Sequence, residues 1–206
     1  MKNPWETILL RDYENHMKLD SVRQLQAINE MMRSQLYTYD VSTVLILGVA
    51  GGNGLNHVEK PRFKKVYGLD VNRRYLDECV KRFPDLHETF VPLEIDLLDD
   101  ISTLPESDLV IANLLIEYIG YECFQRVISQ TGPRYASCVI QDNSEKHYIS
   151  DSPYNATFTC LDNVHHRIRE GDLGLSMREI GYQTKLRDEK AMPNNKKLVR
   201  LDFSKG

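Results

Sequence analysis

Val44-Leu-Ile-Leu-Gly48-Val-Ala-Gly-Gly-Asn-Gly54 decides how this chain is read. Four apolar residues, 44–47, run straight into a glycine-rich turn, and a second apolar run closes on Asp70, 22 positions after Gly48. A continuous apolar run of that kind suits a strand buried on both faces of a parallel sheet. Glycines let the backbone turn sharply and leave the main chain open to a ligand. A helix beginning just beyond the turn would aim its unpaired N–H groups at the same point. An acid at the tip of the next strand is placed to bind a ribose diol. The pattern predicts a nucleotide-like ligand at the carboxyl ends of a parallel sheet.

Two phosphate-binding patterns fail here. G-x-G-x-x-G has no register: from Gly48 the third position is Ala50 and the sixth Asn53, and from Gly52 the sixth is His57. G-x-x-x-x-G-K-[ST] fails because no lysine follows Gly52 or Gly54. What remains is a ligand with a ribose and no demonstrable polyphosphate, a description that S-adenosylmethionine (SAM) fits.

At these residues the chain resembles the class I SAM-dependent methyltransferases, over residues 43–203. The family's first strand leads into a loop of the form (D/E)-x-G-x-G-x-G, matched here by Ile46-Leu-Gly48-Val-Ala50-Gly-Gly52. Two positions depart. Ile46 stands where the family carries an acid that helps organise the methionine end of the cofactor, and Ala50 replaces the middle glycine. The resemblance implies cofactor contacts at Gly48, Val49, Ala50, Gly51 and Gly52. It further implies a ribose site at Asp70 with Val71, an adenine site at Asp96 and Leu97, and Asn113 facing the methyl donor. Glu117 and Tyr118 fall just beyond Asn113. The stretch 112–117 is locally similar to a ribosomal-protein methyltransferase, without the Asn-Pro-Pro-Tyr signature of many amino-group methyltransferases.

Each position also has a plain reading. Asn72 can cap the helix after Asp70, Asp96 sits beside the acidic Asp99 and Asp100, and Asn113 can be a turn residue. Their order at four successive strand ends carries more than any one of them.

Periodicity organises the rest. Residues 3–10 carry Trp5, Ile8 and Leu9 on one helical side; Ser21 and Gln24 read as a capping box before Val22, Leu25, Ile28, Met32 and Leu36 at helical spacing. Residues 1–40 are therefore expected to form a helical extension or lid, and 41–206 the binding domain. Strands are expected at 66–70, 90–96, 108–113 and 135–141, and helices at 73–83, ending before Pro84, at 121–130 and at 173–180 before Gly181. Two late strands, 182–188 and 196–203, flank the turn 193–195 and must pair antiparallel, since a parallel return needs a crossover of a dozen or more residues. The family's sheet ends in such a reversed hairpin. The resemblance thus implies an α/β fold with a doubly wound, seven-stranded, mostly parallel sheet, order 3-2-1-4-5-7-6, strand 7 antiparallel. Dinucleotide dehydrogenases lack this hairpin.

The chain has 206 residues, 27% of them charged, with a net charge of −4, which disfavours nucleic acid as a partner. No run approaches the roughly 18 apolar residues of a membrane span. The opening Met1-Lys-Asn-Pro-Trp-Glu lacks an apolar signal segment, so a cytoplasmic location is expected. Cys79, Cys123, Cys138 and Cys160 are scattered without a C-x-x-C pair, which speaks against zinc and against a disulfide framework. No metal is expected.

Methyl transfer from a sulfonium is an in-line displacement that depends mainly on alignment and exclusion of water, so no catalytic triad is expected. Tyr13 and His16, in the polar and aromatic stretch 12–17, are candidates for the acceptor pocket, as are Glu117 and Tyr118. The long connection 142–172 adds Tyr148, Tyr154, His165 and His166. A small-molecule acceptor is expected first and a protein acceptor second; a homodimer stays open. Two other functions stay open as well: a nicotinamide-dependent oxidoreductase and a SAM-binding protein without catalysis.

Overall fold

The computed structural model describes residues 3–143, 148–193 and 195–206. Met1 and Lys2, residues 144–147 of the long connection and Asn194 in the expected turn lie outside the described residues. Seven strands form one sheet: β1 (Thr43–Leu47), β2 (Lys65–Asp70), β3 (Phe90–Glu94), β4 (Leu109–Asn113), β5 (Tyr135–Asn143), β6 (Tyr182–Ala191) and β7 (Lys196–Lys205). Their order is β3-β2-β1-β4-β5-β7-β6. The pairs among β1 to β5 are parallel, and β7 runs antiparallel to both β5 and β6. This is the expected topology, and the late hairpin closes it as anticipated.

Alternation along each strand splits the core into two layers. Leu45 and Leu47 share one face with Val110, Ala112, Ala136 and Cys138, covered by α4 (Ile116–Thr131) and α6 (Glu170–Glu179). Val44, Ile46, Leu109 and Ile111 line the other, covered by α2 (Gln24–Thr38) and α3 (Arg73–Arg82). Ile46, where the family carries an acid, packs in this second layer and is 4% exposed. Cys138 is core, as expected, and among the described residues all four cysteines are free thiols.

Several boundaries moved for local reasons. No α-helix follows the glycine loop; the chain makes one 3-10 turn at Leu55–His57 after Gly54, which takes φ 99°. At Gly54 an added Cβ would collide with Met32 of α2, so the place beside the loop is taken by a helix from earlier in the chain. The N-cap of α2 is not Ser21, as a capping box with Gln24 requires: α2 starts at Gln24 after Arg23, which is left-handed with φ 53° and makes no side-chain cap. The expected helix over 3–10 is only a 3-10 turn, Pro4–Glu6, and the α-helix comes later as α1 (Leu10–Lys18). Asn72 caps α3 by accepting from the Arg74 N–H at 3.1 Å. Helix α4 starts earlier than expected, but Gly120 (φ 74°, ψ 173°) breaks it just before Tyr121. Glu117 and Tyr118 therefore sit in a separate first turn at the strand tips. The long connection holds a short helix, α5 (Asn155–Phe158). No described helix is long and apolar enough to cross a membrane.

Candidate active site

Two adjoining cavities open at the carboxyl ends of the parallel strands. The smaller, about 290 Å³, is bounded by the tips of β1, β2 and β3 through Gly48, Ala50, Asp70, Val71, Asp96 and Leu97. Asp70 is 7% exposed. It accepts backbone N–H groups from Ala50 and Asn72, each at 2.9 Å. Two oxygens offer about four lone-pair positions, so these two bonds, with the Val71 N–H that also acts on the carboxylate, still leave acceptor capacity. Burial raises its pKa to about 6, against the lowering effect of those hydrogen bonds. Asp96 accepts from Leu98 N at 3.0 Å and from the Asn3 side chain at 2.9 Å.

The start of the chain straps across these tips. Asn72 donates to the Trp5 carbonyl at 3.0 Å and the Tyr75 hydroxyl to the Ile8 carbonyl at 2.9 Å. Arg82 holds Glu14 of α1 in an ion pair. Trp5 packs edge-on to Tyr13 and Tyr118, with ring centroids 5.8 and 4.9 Å apart. Its indole N–H is buried and finds no partner among the described residues.

The larger cavity, about 490 Å³, lies beyond this aromatic group. Trp5, Tyr13, Leu114 and Tyr118 line both cavities; His16, Glu117, Tyr148 and His165 line the larger one. Glu117 Oε1 accepts from Gln141 N at 2.8 Å, while Oε2 is buried without a partner. Burial raises this carboxyl to about 7. His16 bonds Ser152 Oγ at 2.8 Å through Nδ1, and burial, with the charge of Lys196, lowers it to about 4. His165 stacks on Tyr148 at 3.6 Å; burial first, then His166, lowers it to about 4 as well. Both imidazoles are therefore neutral near pH 7.

Of the residues singled out in the sequence, Gly48, Ala50, Asp70, Val71, Asp96, Leu97 and Asn113 come together around the smaller cavity. Val49, Gly51 and Gly52 do not line it. Val49 N–H donates to Leu69 O at 2.9 Å, the Gly51 carbonyl takes Arg82 at 3.1 Å, and a Cβ at Gly52 would meet Phe83 at 2.7 Å. These three shape the loop from behind. The Asn113 side chain turns toward α2, exchanging 2.9 Å hydrogen bonds with Gln35 in both directions. Tyr154 and His166 line neither cavity. Sequence reasoning missed Trp5 and Leu114 as wall residues. Leu114 takes φ 53°, a backbone that nothing about a leucine announces. The lone tryptophan was visible, but its position over the strand tips depends on contacts with residues 72 and 75.

The smaller cavity suits an adenosyl group: apolar walls at Leu69, Ile95 and Leu115, a strand-tip carboxylate with capacity to spare, a second carboxylate, and an unmet indole donor. At Gly48 (φ 67°) a Cβ would sit 3.1 Å from Leu115, so the β1 tip stays bare. Among the described residues no group of three or more His, Cys, Asp or Glu side chains is arranged to hold a metal ion.

No protein-family model and no curated protein matches this sequence. Solved structures do match. A geranyl diphosphate methyltransferase in complex with SAM aligns with a TM-score of 0.66 and 13% identity, covering 89% of this chain and 86% of that one. The N-methyltransferase NodS from Bradyrhizobium japonicum aligns at 0.61 and 16%, covering 91% and 99%. The [4+2]-cyclase SpnF aligns at 0.66 and 9%, covering 89% and 82%, so the architecture also houses a reaction of another kind. With its sheet order and reversed final hairpin, this chain has the fold of the class I SAM-dependent methyltransferases.

Proposed function

We propose that this protein is a SAM-dependent methyltransferase acting on a small-molecule acceptor. The observation that carries this reading is the pair of cavities sharing one aromatic wall, with Asp70 and Asp96 on the smaller. In this reading Asp70 receives the ribose hydroxyls and Asp96 with the Leu97 N–H meets the adenine edge. Gly48, Ala50 and Asn113 border the methionine end. A bound SAM supplies an already activated sulfonium methyl. The chain's own part is to align the acceptor and exclude water, and residues 3–18 serve as the lid that does so. Helix α2, although within the first forty residues, belongs to the packed layer beside β1 and β4. A cavity of about 490 Å³ is of the size that small ligands occupy, which favours a metabolite over a protein acceptor. A cytoplasmic location accompanies this reading.

Calorimetric titration with SAM tests it. Micromolar binding by the parent and none by Asp70→Ala is the expected result. Equal binding by both would remove Asp70 from the site, and NADH binding in place of SAM would turn the assignment to an oxidoreductase.

A further inference from the structure

Among the described residues Glu117 is the one carboxylate with a buried oxygen that has no hydrogen-bond partner. It is 5% exposed, lies on the wall of the larger cavity, and has one carboxylate oxygen satisfied and the other without any partner among the described residues. A buried carboxylate lacking a cation or donor is costly, and proteins seldom leave one so without use. Among the described residues, none of the groups that act on it electrostatically is a cation. Tyr118 stands beside it in the first turn of α4, Tyr121 follows the break at Gly120 and Cys138 comes from β5, and none of these carries positive charge near neutral pH. His16 and His165, on the same cavity wall, are held neutral. Arg167 and Arg169 also line the cavity but are exposed. Five aromatic side chains, Trp5, Tyr13, Tyr118, Tyr148 and Phe158, share the wall with aliphatic residues and with the carboxylates Asp142 and Glu170. Aromatic faces attract an organic cation.

We infer that the larger cavity takes a small primary or secondary amine, whose nitrogen is bound by the free oxygen of Glu117 and is the atom methylated. This rests on the proposed methyl transfer. A phenol would satisfy the oxygen with one O–H, yet its phenolate would be repelled; an ammonium fills it with a charge-assisted hydrogen bond. The step balances simply. Glu117 accepts a proton from the ammonium, freeing the nitrogen lone pair. That pair forms the new N–C bond as the C–S bond breaks, with its electrons going to sulfur. The proton passes from Glu117 to water after release.

The test uses the full chain with S-adenosylhomocysteine present and 2-phenylethylamine as probe, against phenol and phenylacetate. Binding of the amine alone is expected, weakened at least tenfold in Glu117→Gln, with SAM affinity unchanged. Should the variant not fold, the parent supplies a second readout. Binding an ammonium forces Glu117 into its charged form, so about half a proton is released per amine at pH 7, measured in buffers of different ionisation enthalpy. In turnover, kcat/KM for the amine should fall below about pH 7, a limb absent from Glu117→Gln. Preference for phenol or phenylacetate, no amine binding, or amine binding without proton release would overturn the inference. SAM binding in those cases would leave the methyltransferase reading intact.

Discussion

The side chain of Asn3 donates a 2.9 Å hydrogen bond to the carboxylate of Asp96, joining the first residues to a position just beyond the third strand. With the Asn72–Trp5 and Tyr75–Ile8 bonds it makes three polar ties that hold the strap across the strand tips. Two of the three end on backbone carbonyls, so the strap is fixed by its path more than by its side chains.

Tyr75→Phe should loosen that strap without disturbing the sheet. The change leaves the Ile8 carbonyl without its buried donor, at a cost of about 1–3 kcal/mol. Hydrogen exchange at residues 5–10 should accelerate while the β1 and β4 amides keep their protection. SAM should dissociate faster from the variant. Unchanged exchange over residues 5–10 would mean that Asn3 and Asn72 alone hold the segment.

Asp70 should impose an acid limit on cofactor binding. Its folded pKa of about 6 lies above the ordinary 3.8, so the folded protein holds this proton more tightly than the unfolded chain. The stability that proton contributes is fully present below 3.8 and is lost as pH rises through about 6. In the proposed site a ribose diol donates to the ionised carboxylate, so binding runs the other way. The Kd for SAM should rise roughly tenfold per unit as pH falls below about 6. Asp70→Asn should bind weakly and flatten that limb; a parent Kd constant from pH 5 to 7 would contradict it.

Ala50 sits at φ 46°, the left-handed region that L side chains avoid at a cost of about 1–2 kcal/mol. Ala50→Gly removes that strain, partly offset by the greater freedom glycine gives the unfolded chain. A net gain of about 0.5–1 kcal/mol is expected, raising Tm by about 1–4 °C for a domain of this size. A lower Tm in the variant would show that the alanine methyl contributes more by packing than its backbone costs.

These residues also show what a single sequence reveals. The strand 44–47, the turn at Gly48, Asp70 and the final hairpin were legible because each rests on local chemistry: apolar continuity, glycine freedom, a short antiparallel return. Ala50 was recognised as a departure, but its positive φ was not, because the loop around it imposes that geometry. The helix expected after Gly54 is missing because Met32, more than twenty positions earlier, occupies the space beside the loop. The Ser21 capping box obeyed a local rule that the left-handed Arg23 overrode. Asn113 was placed correctly at the tip of β4, yet its amide is claimed by Gln35, a pairing across 78 positions that no spacing rule contains.

That pairing is one end of a buried polar chain, and its other end sets the last prediction. Gln35 also donates to Ser137 at 2.9 Å, and Ser137 donates to Asp202. Asp202 forms a two-pronged pair with Arg200, at 2.8 and 2.6 Å, and accepts from Tyr39 at 3.0 Å. Arg200 in turn holds Ser34 and Thr38 of α2, at 2.7 and 3.1 Å. Both charged side chains are almost wholly buried, at 2% and 0% exposed, so neither can turn to water if the other is lost. Asp202→Ala should therefore destabilise by about 3–5 kcal/mol, since it strands the guanidinium beneath α2. For a domain of this size that is a fall in Tm of about 6–20 °C. Replacing both partners by apolar residues, Arg200→Met with Asp202→Leu, should recover most of the loss, because no unpaired charge remains. Thermal denaturation of the single and double variants decides the matter: if the double variant is as unstable as the single one, what holds α2 to the sheet is the hydrogen-bond chain through Ser137 and Gln35 and not the compensation of charge.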